Sequence, residues 1–312
     1  SNAYLTAVSL RRPEKWFPLR VLVCETCWLV QAESYSRAAE LFNDEYAYFS
    51  SFSDAWLQHC KDYVAKMIDM LDLDETSMVA EIASNDGYLL QFVQAQKIPC
   101  FGVEPTASTA VAARAKGIET IEEFFGVELA ERLVGEGKSA DLIAANNVLA
   151  HVPDINDFVS GFATLLKNDG VATFEFPHLM KMVVDRQFDT IYHEHHSFFN
   201  TRSLQKLAAR ANLYVVDGRY VDVHGTSFRW ELKAKPSTIP HELLEDELRR
   251  GMTSIESYID FARIALQKAR DAALIVERQR NSGFVICAYG AAAKAHTFFN
   301  FANIRADIVV DD

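Results

Sequence analysis

The chain contains no apolar run approaching the ~20 residues that a helix needs to span a bilayer, no lysine and arginine cluster, no second C-x-x-C pair, no internal repeat and no low-complexity tract. The first absence excludes a helical membrane span. The second fits a formal net charge of −12, from 31 basic and 43 acidic residues, and argues against a nucleic-acid or anionic-membrane surface. An anionic ligand would then need local positive groups. Five cysteines, Cys24, Cys27, Cys60, Cys100 and Cys287, are an odd and scattered set and make no disulfide framework. A reducing, cytoplasmic setting is expected. At 312 residues, 49% hydrophobic and 24% charged, the chain has ordinary globular composition, and its length predicts roughly two domains.

What is present begins with residues 19–31, which read as strand, C-x-x-C turn, strand, the setting in which a zinc knuckle aims two thiolates at one metal. A tetrahedral site needs four ligands, so Cys24 and Cys27 are either half of a zinc site or a metal-free pair. A helix with apolar pairs at Trp56-Leu57, Tyr63-Val64 and Met67-Ile68 follows. From Met78 the pattern alternates, with strands predicted at 78–83, 100–104, 118–121, 140–145 and 170–176. Helices are predicted at 88–97, 106–116, 126–136, 155–167 and 201–211. This alternation marks a doubly wound α/β domain. Two strands with no helix between them, 213–222 and 227–234, imply an antiparallel edge. After Pro236 and Pro240 the pattern is helical to Asn281, broken near Gly251 and restarted by a capping box at Thr253-Ser254-Ile255-Glu256. A second α/β unit then opens with the 284–289 strand, the Gly290 turn and a helix from Lys294. The strand-like end at 308–312 and the scar-like Ser1-Asn2-Ala3 predict a piece of a longer protein.

Chemistry concentrates in two stretches. Glu81-Ile82-Ala83-Ser84-Asn85-Asp86-Gly87 is a strand end running into a turn and a helix, where ligands of α/β sheets bind. It lacks the glycines of a dinucleotide fingerprint, so NAD binding is poorly supported. One strand later, Gly102-Val103-Glu104-Pro105 puts a carboxylate where it can accept both hydroxyls of a ribose. Asp141-Leu-Ile-Ala-Ala-Asn146-Asn147 ends the fourth strand of the pattern. The second stretch is Ile191-Tyr192-His193-Glu194-His195-His196-Ser197. Its residues suit a polar loop, acid–base chemistry or, least well given their spacing, a metal site.

The combination E-x-A-S-N-D-G, G-V-E-P and A-N-N-V-L-A-H-V-P resembles the S-adenosylmethionine (SAM) methyltransferases of the Rossmann-like class. Ala83 and Asn85 stand where their first motif carries glycines. Tyr-x-Glu-His downstream of these motifs looks like the nucleotide-sugar C-methyltransferases, which include C-3 methyltransferases of branched deoxysugars. The similarity extends to Tyr46-Ala-Tyr48-Phe-Ser-Ser-Phe-Ser53, His224-Gly225-Thr226-Ser227-Phe228-Arg229 and Tyr289-Gly290-Ala-Ala-Ala-Lys294. Thr226 departs from a glycine of the family, and only one of its two cysteine pairs is here.

The resemblance implies a Rossmann-like class I SAM domain at 46–235. It lies between a partial zinc-binding domain at 1–45 and a helical linker with a partial C-terminal Rossmann-like domain at 236–312. The implied reaction is methyl transfer to a carbon beside the ketone of a nucleotide-linked keto-deoxysugar. His195 is then the general base, Glu194 orients or tunes it, and Tyr192, Tyr46 and His151 are candidate donors to the keto or enolate oxygen. Glu81, Ala83, Asn85, Gly87, Glu104, Asn146 and Phe124 or Phe125 would hold SAM. His224, Arg229 and Lys294 would meet the diphosphate, and Cys24 and Cys27 half of a structural zinc site. A SAM-dependent O- or N-methyltransferase and a non-catalytic SAM-binding protein are the alternatives.

Overall fold

The computed structural model describes residues 7–8, 11, 13, 17–35, 49–221 and 227–311. Two short strands open it, β1 (Val21–Val23) and β2 (Val30–Ala32), paired antiparallel around the C-x-x-C turn. The turn closes through Trp28 N–H to the Cys24 carbonyl at 2.7 Å and Cys24 N–H to the Leu29 carbonyl at 2.9 Å. Helix α1 (Asp54–Leu71) follows, capped by the Ser53 hydroxyl on Trp56 N–H. Its buried face is Trp56, Cys60, Tyr63, Val64 and Met67, the three-and-four spacing of an amphipathic helix.

The alternating region folds as β3 (Val79–Ile82), α2 (Leu90–Gln94), β4 (Cys100–Val103), α3 (Ala107–Ala115), β5 (Thr120–Ile121) and α4 (Val127–Gly135). It continues as β6 (Ala140–Asn146), α5 (Ile155–Leu165), β7 (Leu166–Pro177), α6 (Leu179–Asp185), β8 (Ser197–Phe198), α7 (Thr201–Arg210), β9 (Tyr214–Val221) and β10 (Ser227–Lys233). These strands, β8 excepted, form one sheet of order β5-β4-β3-β6-β7-β10-β9. The first five run parallel, and β10 joins β7 and β9 antiparallel, as the missing crossover helix predicts. The strand order reverses between β3 and β6, so the crevice for a ligand lies above their C-terminal ends.

Both faces are covered. One carries Phe162, Phe174, Phe176 and Trp230 with α4, α5 and α7, and the other carries α1 and α2 through Met67, Leu89 and Leu90. Strand β8 leaves this sheet and pairs with β2, Val30 opposite Phe198. The N-terminal strands are therefore joined to the segment immediately after His195.

The tail comprises α8 (His241–Arg249), α9 (Ile255–Asn281), β11 (Cys287–Tyr289), α10 (Ala293–Ala302) and β12 (Ile308–Val310), with β11 and β12 parallel. Gly251, at φ 73°, separates α8 from α9. The capping box expected at 253–256 does not form. Ser254 is the N-cap, and its hydroxyl donates to the Glu256 carboxylate instead of accepting a backbone N–H. Among the described residues no helix is long and apolar enough to cross a membrane.

Candidate active site

Above the strand ends lies a cavity of about 670 Å³. Its floor is the turn after β3. There Ala83, Asn85 and Gly87 all adopt positive φ, at 59°, 49° and 75°. The backbone thus takes the left-handed alternation that glycines normally provide, although two of the three residues carry a Cβ. Such positions cost a non-glycine residue about 1 kcal/mol or more and persist where neighbours hold them. The neighbours here are explicit. Asn85 N–H donates to Glu104 Oε2 at 2.9 Å, and Asn85 Oδ1 accepts Ser50 N–H at 2.9 Å. Lys116 Nζ donates to the Asp86 carbonyl at 2.7 Å and to Ser51 Oγ at 2.8 Å.

Glu104, at the end of β4, is buried and accepts backbone N–H groups on both oxygens, from Asn85 and from Thr106, each at 2.9 Å. Each oxygen keeps a lone pair for a ribose hydroxyl. Burial, only partly offset by these bonds, raises its pKa. Asn146 ends β6 with its Nδ2 3.4 Å from the Tyr88 hydroxyl. Exposed Phe124 and half-buried Phe125, stacked edge-on against Phe158 and Phe162, add an aromatic side. The Glu104 cradle, the open floor at Ala83 and Asn85 and the aromatic flank fit SAM.

Two residues expected to touch the cofactor lie behind this surface. Glu81 is fully buried and does not line the cavity, and burial holds its carboxyl well above the usual range. Gly87 is a packing glycine: a Cβ there would stand 2.3 Å from Ile118 Cδ1, and its N–H is spent on the Ser84 carbonyl.

The opposite wall is the loop 188–196. His195 Nδ1 lies 2.7 Å from the Thr190 carbonyl, and His151 Nδ1 lies 2.8 Å from the Glu194 carbonyl. A carbonyl only accepts, so both rings carry their proton on Nδ1 and an acceptor lone pair on Nε2. The rings are 4.7 Å apart edge-on, and Tyr192 lies 4.1 Å from His195. Burial pushes His195 down to about 3, helped by His151, and pushes His151 down to about 4. Both are neutral at pH 7.

This geometry refines one assignment and corrects another. The Thr190 carbonyl accepts from His195 Nδ1 and orients the ring, while the charge of the Glu194 carboxylate tunes it, favouring the protonated form. His151, with its one proton committed at Nδ1, accepts at Nε2 and cannot donate there to an oxyanion. A second correction concerns Arg229. It is buried on β10, paired with Glu175, beside His59 and over the Tyr63 ring, where it neutralises a carboxylate inside the fold and is withdrawn from any ligand. Lys294 does line the cavity, and its charge further depresses His195. Tyr46 and His224 lie outside the described residues.

Trp56, Tyr88 and Thr190 also line the cavity without having been singled out in the sequence. Trp56 and Tyr88 carry the same pattern as core aromatics, and Thr190 contributes a carbonyl, which no side-chain pattern reports.

At the C-x-x-C turn the backbone N–H groups of Cys27 and Thr26 favour the Cys24 thiolate, while burial raises Cys27. The pair fits two of four zinc donors. Among the described residues no group of three potential metal ligands occurs.

Comparison with known proteins adds to this geometry. Residues 55–217 match the family described as "Methyltransferase domain", residues 1–42 "Putative zinc binding domain" and residues 222–312 "C-methyltransferase C-terminal domain". The chain is 31% identical over 288 residues to C-methyltransferase NovU of Streptomyces niveus, covering 90% of this chain and 68% of that protein. Solved structures that it resembles include a protein from Pyrococcus horikoshii, at 13% identity, TM-score 0.49 and coverage of 60% of this chain and 95% of that one. Another is a SAM-dependent methyltransferase from Clostridium acetobutylicum, at 12% identity, TM-score 0.45 and coverage of 57% and 91%.

Proposed function

The chain belongs to the SAM-dependent C-methyltransferase family, and on that footing we propose that it methylates a carbon beside the ketone of a nucleotide-linked keto-deoxysugar, with His195 as the base. When bound, SAM supplies a methyl group on a positively charged sulfur. What remains for the protein is to take a proton from carbon, to stabilise the enolate oxygen and to hold the reacting atoms in line.

The observation that carries this reading is the hydrogen bond from His195 Nδ1 to the Thr190 carbonyl, which leaves the basic nitrogen at Nε2. A neutral imidazole in the cavity wall is already in its proton-accepting form. Burial disfavours a lone imidazolium, but abstraction from carbon creates imidazolium and enolate together, and the Glu194 charge favours the former. Tyr192 supplies a phenolic donor to the enolate oxygen, and His151 Nε2 accepts from a substrate hydroxyl. Glu104 would hold the cofactor ribose. Cys24 and Cys27 would be two of the four ligands of a structural zinc, at the turn that joins β1 to β2, the strand paired with β8.

The test is incubation of the full chain with SAM and a panel of nucleotide-linked 4-keto sugars, followed by mass spectrometry and carbon NMR. A new methyl bonded to carbon is the expected product. A methyl on oxygen or nitrogen, or no product across the panel, overturns the reading.

A further inference from the structure

Helix α6 stops at Arg186, a left-handed C-cap with φ 61°, and the chain then closes one 3-10 turn, Phe188–Thr190. Little within the turn holds it. Ile191 N–H donates to the Phe188 carbonyl at 3.1 Å, and Thr190 Oγ1 to the Gln187 carbonyl at 2.8 Å. A turn this short is weak by itself and depends on packing from outside. Yet it carries the Thr190 carbonyl, the acceptor that keeps the His195 proton on Nδ1.

That packing comes from two sides. After Thr190, Ile191 lies against the cluster of Val30, Leu179, Met182, Phe198 and Tyr258. Before it, the Phe188 ring lies 6.0 Å from Phe298 and 5.6 Å from Phe301, both on α10. Lys294, Phe298 and Phe301 follow one another at four and three residues, so they share one face of the helix. Lys294 lines the cavity, and the two rings meet Phe188. Phe298 also packs on the small core of the tail, formed by Ala269, Ala302 and Ile304. Phe188 is thus a half-buried ring of the central domain seated on the core of the tail.

We propose that Phe188 is a positioning residue for the methyl transfer. Seated on Phe298 and Phe301, it holds the turn that aims the Thr190 carbonyl at His195. The tail then helps to decide which ring nitrogen of the base is free to accept. A neutral imidazole whose Nδ1–H loses its acceptor can carry the proton on Nε2 instead, and that nitrogen then takes none from carbon. The inference rests on His195 as the base, as proposed above.

Nitrogen NMR of isotope-labelled histidine reports which ring nitrogen of His195 carries the proton. It uses the full chain with S-adenosylhomocysteine at neutral pH, and His195→Asn assigns the signals. The wild type should show Nδ1–H. Phe188→Ala should move the proton toward Nε2 and lower kcat about tenfold, with the KM for a nucleotide-linked keto sugar and S-adenosylhomocysteine affinity held within about threefold. Phe188→Leu keeps an apolar side chain against the rings and should return kcat to within about threefold of the wild type. Phe301→Ala, at a position half open to solvent, removes the same contact from the α10 side and should move both readouts in the same direction. An unmoved proton and an unmoved kcat in Phe188→Ala and Phe301→Ala overturn the proposal. So does a loss confined to KM or to cofactor affinity, the mark of packing alone. A wild-type ring protonated at Nε2 overturns the base itself. If the wild type methylates no keto sugar but its tautomer still follows Phe188, the reaction fails while the placement of His195 by α10 stands.

Discussion

The two halves of the cavity are built by different means. The cofactor half stands on the ends of parallel strands: Ala83 and Asn85 after β3, Glu104 after β4 and Asn146 at the end of β6 are placed by the sheet. The half proposed for the substrate is a loop, 188–196, held by a bond within itself and by bonds to two other parts of the chain. Its own Thr190 carbonyl fixes His195, and its Glu194 carbonyl fixes His151 from beyond β6. The N-terminal strands hold its far end through β2–β8 pairing and Ala32 N–H to the His196 carbonyl at 2.9 Å. A sheet fixes where a side chain sits from its position in the chain. A pinned loop fixes it through backbone groups contributed from elsewhere.

If this contrast holds, damage to one half should leave the other working. The largest effect is expected from His195→Asn, which keeps a polar side chain but removes the base. Methyl transfer should fall about 10²-fold or more, while S-adenosylhomocysteine affinity by calorimetry stays within about twofold. The converse change is Glu104→Ala, which strips the cradle of its acceptor. S-adenosylhomocysteine affinity should fall by about 2 kcal/mol, roughly thirtyfold, with amide exchange of the 188–196 loop unaltered.

The remote support of the substrate half is tested by Cys24→Ser with Cys27→Ser. We expect about a tenfold loss of methyl transfer and faster exchange in peptides covering 190–198, with cofactor affinity unchanged. A fall in cofactor affinity of the same size would erase the distinction between the halves. The smallest effect belongs to Asn85→Gly. Glycine suits the φ of 49°, so cofactor affinity should hold within about threefold. The Ser50 N–H loses its acceptor and should exchange faster, and Asn85→Asp, which keeps an acceptor, should restore protection.

Protonation sharpens the comparison in another way. His195 and His151 are depressed to about 3 and about 4 in the folded protein, against about 6.5 unfolded. Between those limits the unfolded chain binds more protons, so stability falls as pH drops below about 6.5. Thermal melts from pH 7 to pH 4.5 should show a shallower decline in His195→Asn than in the wild type. Parallel declines would mean that the ring is not held neutral.

How much was legible in the sequence follows the same division. The parallel strands and their helices were readable because apolar runs and turn residues alternate regularly, and Glu104 was readable because it follows a strand. Ala83 and Asn85 looked like a weakened motif. The left-handed backbone at Asn85 is held by Glu104 and Ser50, contacts 19 and 35 residues away that no local pattern reports. Arg229 was misread as a ligand for anions. Its position on an antiparallel strand beside Glu175 is a matter of register, fixed only once β10 pairs with β7. Thr190 was invisible, because its contribution is a carbonyl. Helix α6 and strand β8 were also missed, being too short to show a period.

The central claim is that His195 removes a proton from the carbon that receives the methyl group. Its most direct test is solvent exchange without methyl transfer, with the full chain, S-adenosylhomocysteine and a nucleotide-linked 4-keto sugar accepted as substrate in heavy water. Deuterium should enter the carbon beside the ketone with the wild type and not with His195→Asn. Exchange at equal rates in both, or in neither while the wild type still methylates that carbon, would contradict the account.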